Sequence, residues 1–179
     1  MQRTVAAGEI VAGVRKSNLR ELVERAAEKK GIKIREIRYR EVGRAERVDY
    51  SKVRLCRLEY EASGGREVFL SFEDVKNDVL IAFLRLRMPA KPFRPEITER
   101  TALVRELHVY GPLVPIGKLD ARAYQHKGFG SRLLAEAERI AKEEFDKNKI
   151  VVISGVGVRE YYYKRGYRLD GPYVSKLID

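Results

Sequence analysis

Gln125-His126-Lys127-Gly128-Phe129-Gly130 runs straight into an amphipathic helical pattern, and few backbones accommodate that junction. In the spacing Q-x-x-G-x-G the two glycines let the chain approach a ligand closely. The free N–H groups of the helix's first turn then point at an anion. The pattern predicts a helix from Gly130 to Lys147, with Leu133, Leu134, Ala137, Ile140 and Ala141 on one face. Glu138–Lys142 and Glu143–Lys147 form i,i+4 pairs on the other. Ile150 to Ile153 follows as a short, wholly apolar strand, as expected where both faces of a sheet are covered. The unit is β-loop-α-β. A Rossmann fingerprint needs a third glycine where Arg132 and Leu133 stand, and a Walker loop needs G-K-[ST], which is absent. What remains is a turn shaped for the pyrophosphate of a nucleotide-linked carrier. The plainer alternative is an ordinary glycine turn that starts a helix.

Upstream, the chain reads as a helix and then a meander. Residues 1–13 show no clear period. Asn18 is placed to cap a helix carrying Leu19, Leu22, Val23, Ala26 and Ala27, with Glu21 three residues on and Gly31 to end it. Ile32 to Val42 alternates apolar with charged and slips phase at Ile37, which suggests a strand. Arg54 to Ala62 and Glu67 to Phe72 read as strands joined by a turn at Ser63-Gly64-Gly65. Val79 to Met88 fits a central strand and Ala102 to Tyr110 another. Pro89, Pro92 and Pro95 hold the loop between them out of any sheet. After the apolar strand come a short helix at Arg159 to Arg165, ended by Gly166, and a last strand from Arg168 to Leu177.

Composition narrows the partners. No apolar run reaches the roughly 20 residues of a membrane span, and no secretory signal is visible. The single cysteine, Cys56, can form neither an internal disulfide nor a cysteine-based metal site, which fits a cytoplasmic setting. With 37 basic against 26 acidic residues, the net charge of +11 favours a polyanion such as nucleic acid over plain solubility. Basic clusters that could meet phosphates are Arg35, Arg38 and Arg40, and Arg85, Arg87, Lys91 and Arg94.

Two further segments carry chemistry. In Val104 to Tyr110 a period of two puts Glu106, His108 and Tyr110 on one face. Glu106 or His108 there could act as a general base, though a half-buried strand with a satisfied histidine is the simpler reading. Tyr161-Tyr162-Tyr163 opens the short helix. Neighbours on a helix lie about 100° apart, so the three cannot share a face, and one should reach a cleft. A tyrosine there could donate a proton to a leaving thiolate. Core packing is the alternative, and Tyr167 fits that role.

These segments together resemble a known family. Arg105 to Gly111, Gln125 to Gly130, Ala135 to Ala141, Ile153 to Gly157, Tyr161-Tyr162, Gly166-Tyr167 and Gly171-Pro172-Tyr173 resemble the acetyltransferase domain of the Elongator catalytic subunit, a tRNA wobble-uridine acetyltransferase family. The resemblance is dense from about Leu84 to Leu177. Upstream, Gly13 to Asn18 and Arg40 to Gly43 look like the tail of that family's radical S-adenosylmethionine (SAM) domain and its linker.

The resemblance implies an α+β chain with the Gcn5-related N-acetyltransferase fold, a mixed, mostly antiparallel sheet flanked by helices. Residues 46–179 would form that domain and residues 1–45 a helical linker appendage. Acetyl-CoA would contact Glu106, Leu107, His108 and Val109, with its pyrophosphate on Gln125, Lys127, Gly128, Phe129, Gly130, Ser131 and Arg132. Tyr162 matches the family's cofactor-contacting tyrosine, with Tyr161 beside it in the same motif, and these two are the expected catalytic residues. The substrate would be C5 of uridine 34 in the anticodon loop. The expected partners are tRNA and either a second copy or other Elongator-type subunits.

The family also uses a 4Fe-4S cluster and SAM. One cysteine cannot hold that cluster, so the chain looks like a fragment that binds or hydrolyses acetyl-CoA without completing the modification. Where the family's linker carries C-x-C-x-x-C, this chain has Ile34, Glu36 and Tyr39, and no metal is expected. Two other functions compete: acetylation of a protein lysine or small amine with Glu106 as base, and a non-catalytic binding module.

Overall fold

The computed structural model describes residues 18–45, 48–92, 94–111 and 128–178. The chain divides into two compact units, residues 1–39 and 40–179. In the first, helix α1 (Leu19–Lys29) has no buried residue. Asn18 enters it in the left-handed region at φ 62° and makes no side-chain cap, so the expected capping box does not form. The C-terminal end matches expectation. The Gly31 N–H bonds the Glu28 carbonyl and the Ile32 N–H that of Ala27, a paired closure that Gly31 permits at φ +64°. The strand expected over Ile32 to Val42 is absent. Single 3₁₀ turns occupy Ile37–Tyr39 and Val42–Arg44 instead. The slip of phase at Ile37 leaves neither face consistently apolar, so no sheet position accepts the segment.

The second unit is built on a seven-stranded sheet, in the order β1-β2-β3-β4-β5-β7-β6. The strands are β1 (Val53–Ala62), β2 (Gly65–Asp74), β3 (Val79–Met88) and β4 (Thr101–Val109), then β5 (Lys149–Val152), β6 (Arg168–Asp170) and β7 (Tyr173–Leu177). All neighbours are antiparallel except β4 and β5, which run parallel. That single parallel step follows from the crossover between them, which carries helix α2 (Phe129–Glu143). The short helix α3 (Arg159–Tyr163) precedes β6.

The core lies between α2 and one face of β2 to β5. Leu133, Leu134, Ala137, Ile140 and Ala141 are buried, as their spacing predicted, against Val68, Leu70, Leu84, Val104 and Ile150. Each large side chain contributes roughly 1.5–3 kcal/mol through the surface it removes from water. Strand β3 is buried along nearly its whole length, which explains its continuous apolar run. Before β1, residues 40–45 fasten to the sheet. The Leu80 N–H bonds the Arg40 carbonyl, Val42 is buried, and the Arg40 guanidinium holds Glu73 and Asp78 together.

The end of α2 and the form of the last strand depart from the sequence reading. Helix α2 stops at Glu143 rather than Lys147, because Asp146 turns left-handed at φ 49°. Its expected outer pairs are replaced. Glu138 binds Tyr167 and Lys176, Glu143 binds Arg139, and Lys147 reaches the Glu99 carbonyl. The single last strand is instead the pair β6 and β7, folded back on itself where Gly171 takes φ 58° ahead of Pro172.

Candidate functional site

Strands β4 and β5 start together and then part. They pair from Thr101–Lys149 to Val104–Val152, and a last bond runs from the Ile153 N–H to the Val104 carbonyl at 3.1 Å. Beyond that point Gly155 and Gly157 carry the chain away through a 3₁₀ turn at Val156–Val158. Strand β4 continues along β3 as far as Val109. Its register against β3 shifts so that Arg105 is the extra residue, a bulge at the very point of divergence. The β5-facing edge of Arg105 to Val109 therefore has no strand beside it among the described residues.

That gap is a cleft of about 630 Å³. Leu107 and Val109 of β4 form one wall, Val158, Tyr161, Tyr162 and Arg165 the other, and Gly128, Gly130 and Ser131 at the start of α2 close the end. Gly128 enters α2 at φ 72° and offers no side-chain cap, which leaves the first-turn N–H groups without an intrahelical partner. A Cβ on Gly130 would lie 2.8 Å from the Tyr161 hydroxyl and 3.3 Å from Val109, so glycine keeps this end open.

The aromatic wall is layered. Tyr162 is buried and meets Tyr161 edge-on at 5.1 Å and Tyr167 at 5.7 Å. Burial pushes the Tyr162 phenol up to about 12, with Tyr161 reinforcing the shift. Burial also drives the Tyr167 phenol upward, helped by the Glu138 carboxylate it bonds at 2.9 Å. Tyr163 points outward and is exposed, so two of the three consecutive tyrosines line the cleft rather than one.

Other residues singled out from sequence occupy different places. Glu106 and His108 lie on the opposite face of β4 from Leu107 and Val109. The Glu106 carboxylate pairs with Arg85 at 3.0 Å, while the His108 ring stacks on Phe83 and meets Tyr110. Their backbone, not their side chains, borders the cleft. The Phe129 ring turns into the core against Phe72, and Arg132 lies over Phe72 at 4.5 Å, outside the cleft. Gln125, His126 and Lys127 lie outside the described residues. Arg165 was missed. The signal was present in its spacing, four residues after Tyr161, which puts the two side chains together on a helix.

An open strand edge, a helix N-terminus and a glycine-lined floor make a cleft that accepts an extended arm with an anionic end, the architecture of an acyl-carrier-dependent acetyltransferase. The chain belongs to the acetyltransferase (GNAT) family, whose match covers residues 29–167, and that membership implies acetyl-CoA as the carrier. It is 58% identical over its whole length to a tRNA uridine(34) acetyltransferase of Methanocaldococcus jannaschii, and 52% identical over 99% of its length to Elongator complex protein 3 of Schizosaccharomyces pombe. The solved structure of the archaeal Methanocaldococcus infernus Elp3 superimposes with a TM-score of 0.83 at 55% identity, covering 99% of this chain and 43% of that one. The chain spans about a third of the length of the curated relatives it matches, 34% in both cases above. Among the described residues no helix is long and apolar enough to cross a membrane, and no cluster of three metal-ligating side chains occurs.

Proposed function

We propose that the chain is the acyl-donor domain of an enzyme that modifies C5 of uridine 34 in the tRNA anticodon loop. The observation that carries this reading is the cleft where β4 parts from β5 at the start of α2, in a chain 58% identical to a tRNA uridine(34) acetyltransferase. The residues present fit the carrier, because glycine at position 130 leaves open the end of the cleft where a Cβ would meet Tyr161 and Val109. Bound acetyl-CoA supplies an activated acetyl group as a thioester.

The protein's part is binding and proton control. Backbone groups of Glu106, Leu107, His108 and Val109 take up the pantetheine arm as a further strand. The free N–H groups of Phe129, Gly130 and Ser131 face the pyrophosphate, while that of Arg132 bonds the Gly128 carbonyl, and Gln125, Lys127 and Gly128 precede them in the sequence. Tyr162, protonated at neutral pH, donates toward the thioester sulfur, and Tyr161 shapes the wall beside it. The residues 1–45 are read as the linker toward a radical SAM domain. A 4Fe-4S cluster and SAM are not assigned to this chain, since Cys56 is its only cysteine. Transfer to uridine therefore draws its radical from elsewhere, and the chain alone is expected to bind or hydrolyse acetyl-CoA. Its partners are tRNA and Elongator-type subunits, in the cytoplasm. Amine acetylation by Glu106 is not favoured, because that carboxylate pairs with Arg85 on the far face of β4.

The test is acetyl-CoA hydrolysis by the chain with and without tRNA. Stimulation by tRNA supports the proposal. Hydrolysis indifferent to tRNA, together with lysine-peptide acetylation that disappears in Glu106→Gln, overturns it.

A further inference from the structure

Arg165 is the one charged side chain lining the cleft among the described residues. Its guanidinium carbon lies over the Tyr161 ring, 3.6 Å from the ring centre. Its Nη2 and Nε donate to Ser131 Oγ at 2.6 and 3.1 Å, and its Nη1 donates to the Tyr161 carbonyl. Both acceptors are neutral, so these bonds orient the cation without cancelling its charge. Ser131 belongs to the first turn of α2, and the guanidinium therefore stands beside the backbone N–H groups that α2 leaves open.

We propose that Arg165 is a further carrier-binding residue that makes the cleft favour a pyrophosphate-linked carrier over one joined through a single phosphate. The inference rests on the acyl-carrier reading above. A helix N-terminus offers about half an elementary charge, while a pyrophosphate diester brings about two negative charges and a phosphodiester about one. The helix alone leaves most of the pyrophosphate's charge uncompensated. A guanidinium fork held at the same end supplies a full charge and two parallel donors, a geometry that matches phosphate oxygens. The stack on Tyr161 and the bonds to Ser131 fix the plane of the fork before the ligand arrives, so little side-chain freedom is lost on binding. A phosphopantetheinyl arm carried on a protein presents only the single phosphate and gains less from the arrangement.

Calorimetry of the whole chain with CoA, the methyl phosphodiester of 4′-phosphopantetheine and pantetheine tests this, comparing the unaltered protein with Arg165→Met and Arg165→Lys. Arg165→Met is expected to weaken CoA by on the order of tenfold, the methyl phosphodiester by clearly less, and pantetheine by under about twofold. Arg165→Lys keeps the charge without the fork, and should recover part of the CoA affinity. It also keeps the test decisive if the methionine variant folds poorly. Equal loss for all three ligands would mark Arg165 as purely structural and overturn the proposal, as would unchanged CoA affinity in both variants. Failure of the unaltered chain to bind CoA would overturn the carrier reading itself, and this inference with it.

Discussion

In the cleft wall the Tyr162 side chain is largely buried, and its phenol proton is held up to about pH 12. The consequence for stability has a definite sign. Between the ordinary tyrosine value near 10 and about 12, the unfolded chain loses this proton while the folded one retains it. Stability is then fully present below about pH 10 and falls as pH rises through the folded value. Tyr162 alone should cost about 2–3 kcal/mol across that window, and Tyr167 adds in the same direction. Urea unfolding between pH 9 and 12 should show a falling midpoint that is shallower in Tyr162→Phe. A midpoint that stays flat to pH 12 would contradict the burial assigned here. The same phenol remains a donor across the physiological range, so Tyr162→Phe should lower acetyl-CoA hydrolysis at least tenfold while CoA binding changes little. Gly130 makes a complementary point. Alanine there improves helix propensity yet puts its Cβ 2.8 Å from the Tyr161 hydroxyl. Gly130→Ala is expected to keep the thermal midpoint within a few degrees and weaken CoA by about tenfold, which calorimetry beside a melting curve would read. Full affinity in that variant would mean the ligand does not pass this point.

At the scale of elements, residues that look alike in sequence separate into different jobs. Arg40, Arg85 and Arg87 were grouped from sequence as cations for phosphate. Arg40 instead joins Glu73 and Asp78 with its side chain largely buried, and Arg87 and Arg105 both bind the buried carboxylate of Glu67. Burial works to raise the Glu67 carboxyl, and the bonds from Arg87 and Arg105 hold it below its usual value. Removing one partner of such a pair leaves a charge without compensation. Arg40→Ala should therefore destabilise the domain by about 3 kcal/mol in denaturant titration, with little effect on tRNA affinity. An Arg40→Ala protein of normal stability and weak tRNA binding would restore the phosphate role. Glycine and helical spacing made α2 visible at once, the turn at Ser63-Gly64-Gly65 marked β1 and β2, and a continuous apolar run marked β3. The divergence of β4 from β5 was not visible, because a strand's partner is chosen by long-range packing and leaves no mark on its own alternation.

For the whole molecule, the arginines bound to carboxylates are already cancelled within the net charge of +11, and the excess of basic over acidic side chains is what can face a polyanion. Binding of tRNA should weaken with salt, with a log–log slope matching several phosphates. Filter binding from 50 to 300 mM salt would measure it, and a slope near zero would mean that this excess charge does not meet the RNA backbone. Taken by itself, the sequence determined the helix that follows the glycine turn, the apolar strand after it, the central place of β3 and the family resemblance. Each of these rests on local spacing, which a linear reading can see. The tertiary structure decided which side chains share the cleft. It brought Arg165 to Ser131 across 34 positions of chain, turned Glu106 to the far face of β4, and set two tyrosines rather than one against the gap. Those outcomes depend on how two strands part and how a short helix packs, and such contacts form only when distant segments compete for the same buried space.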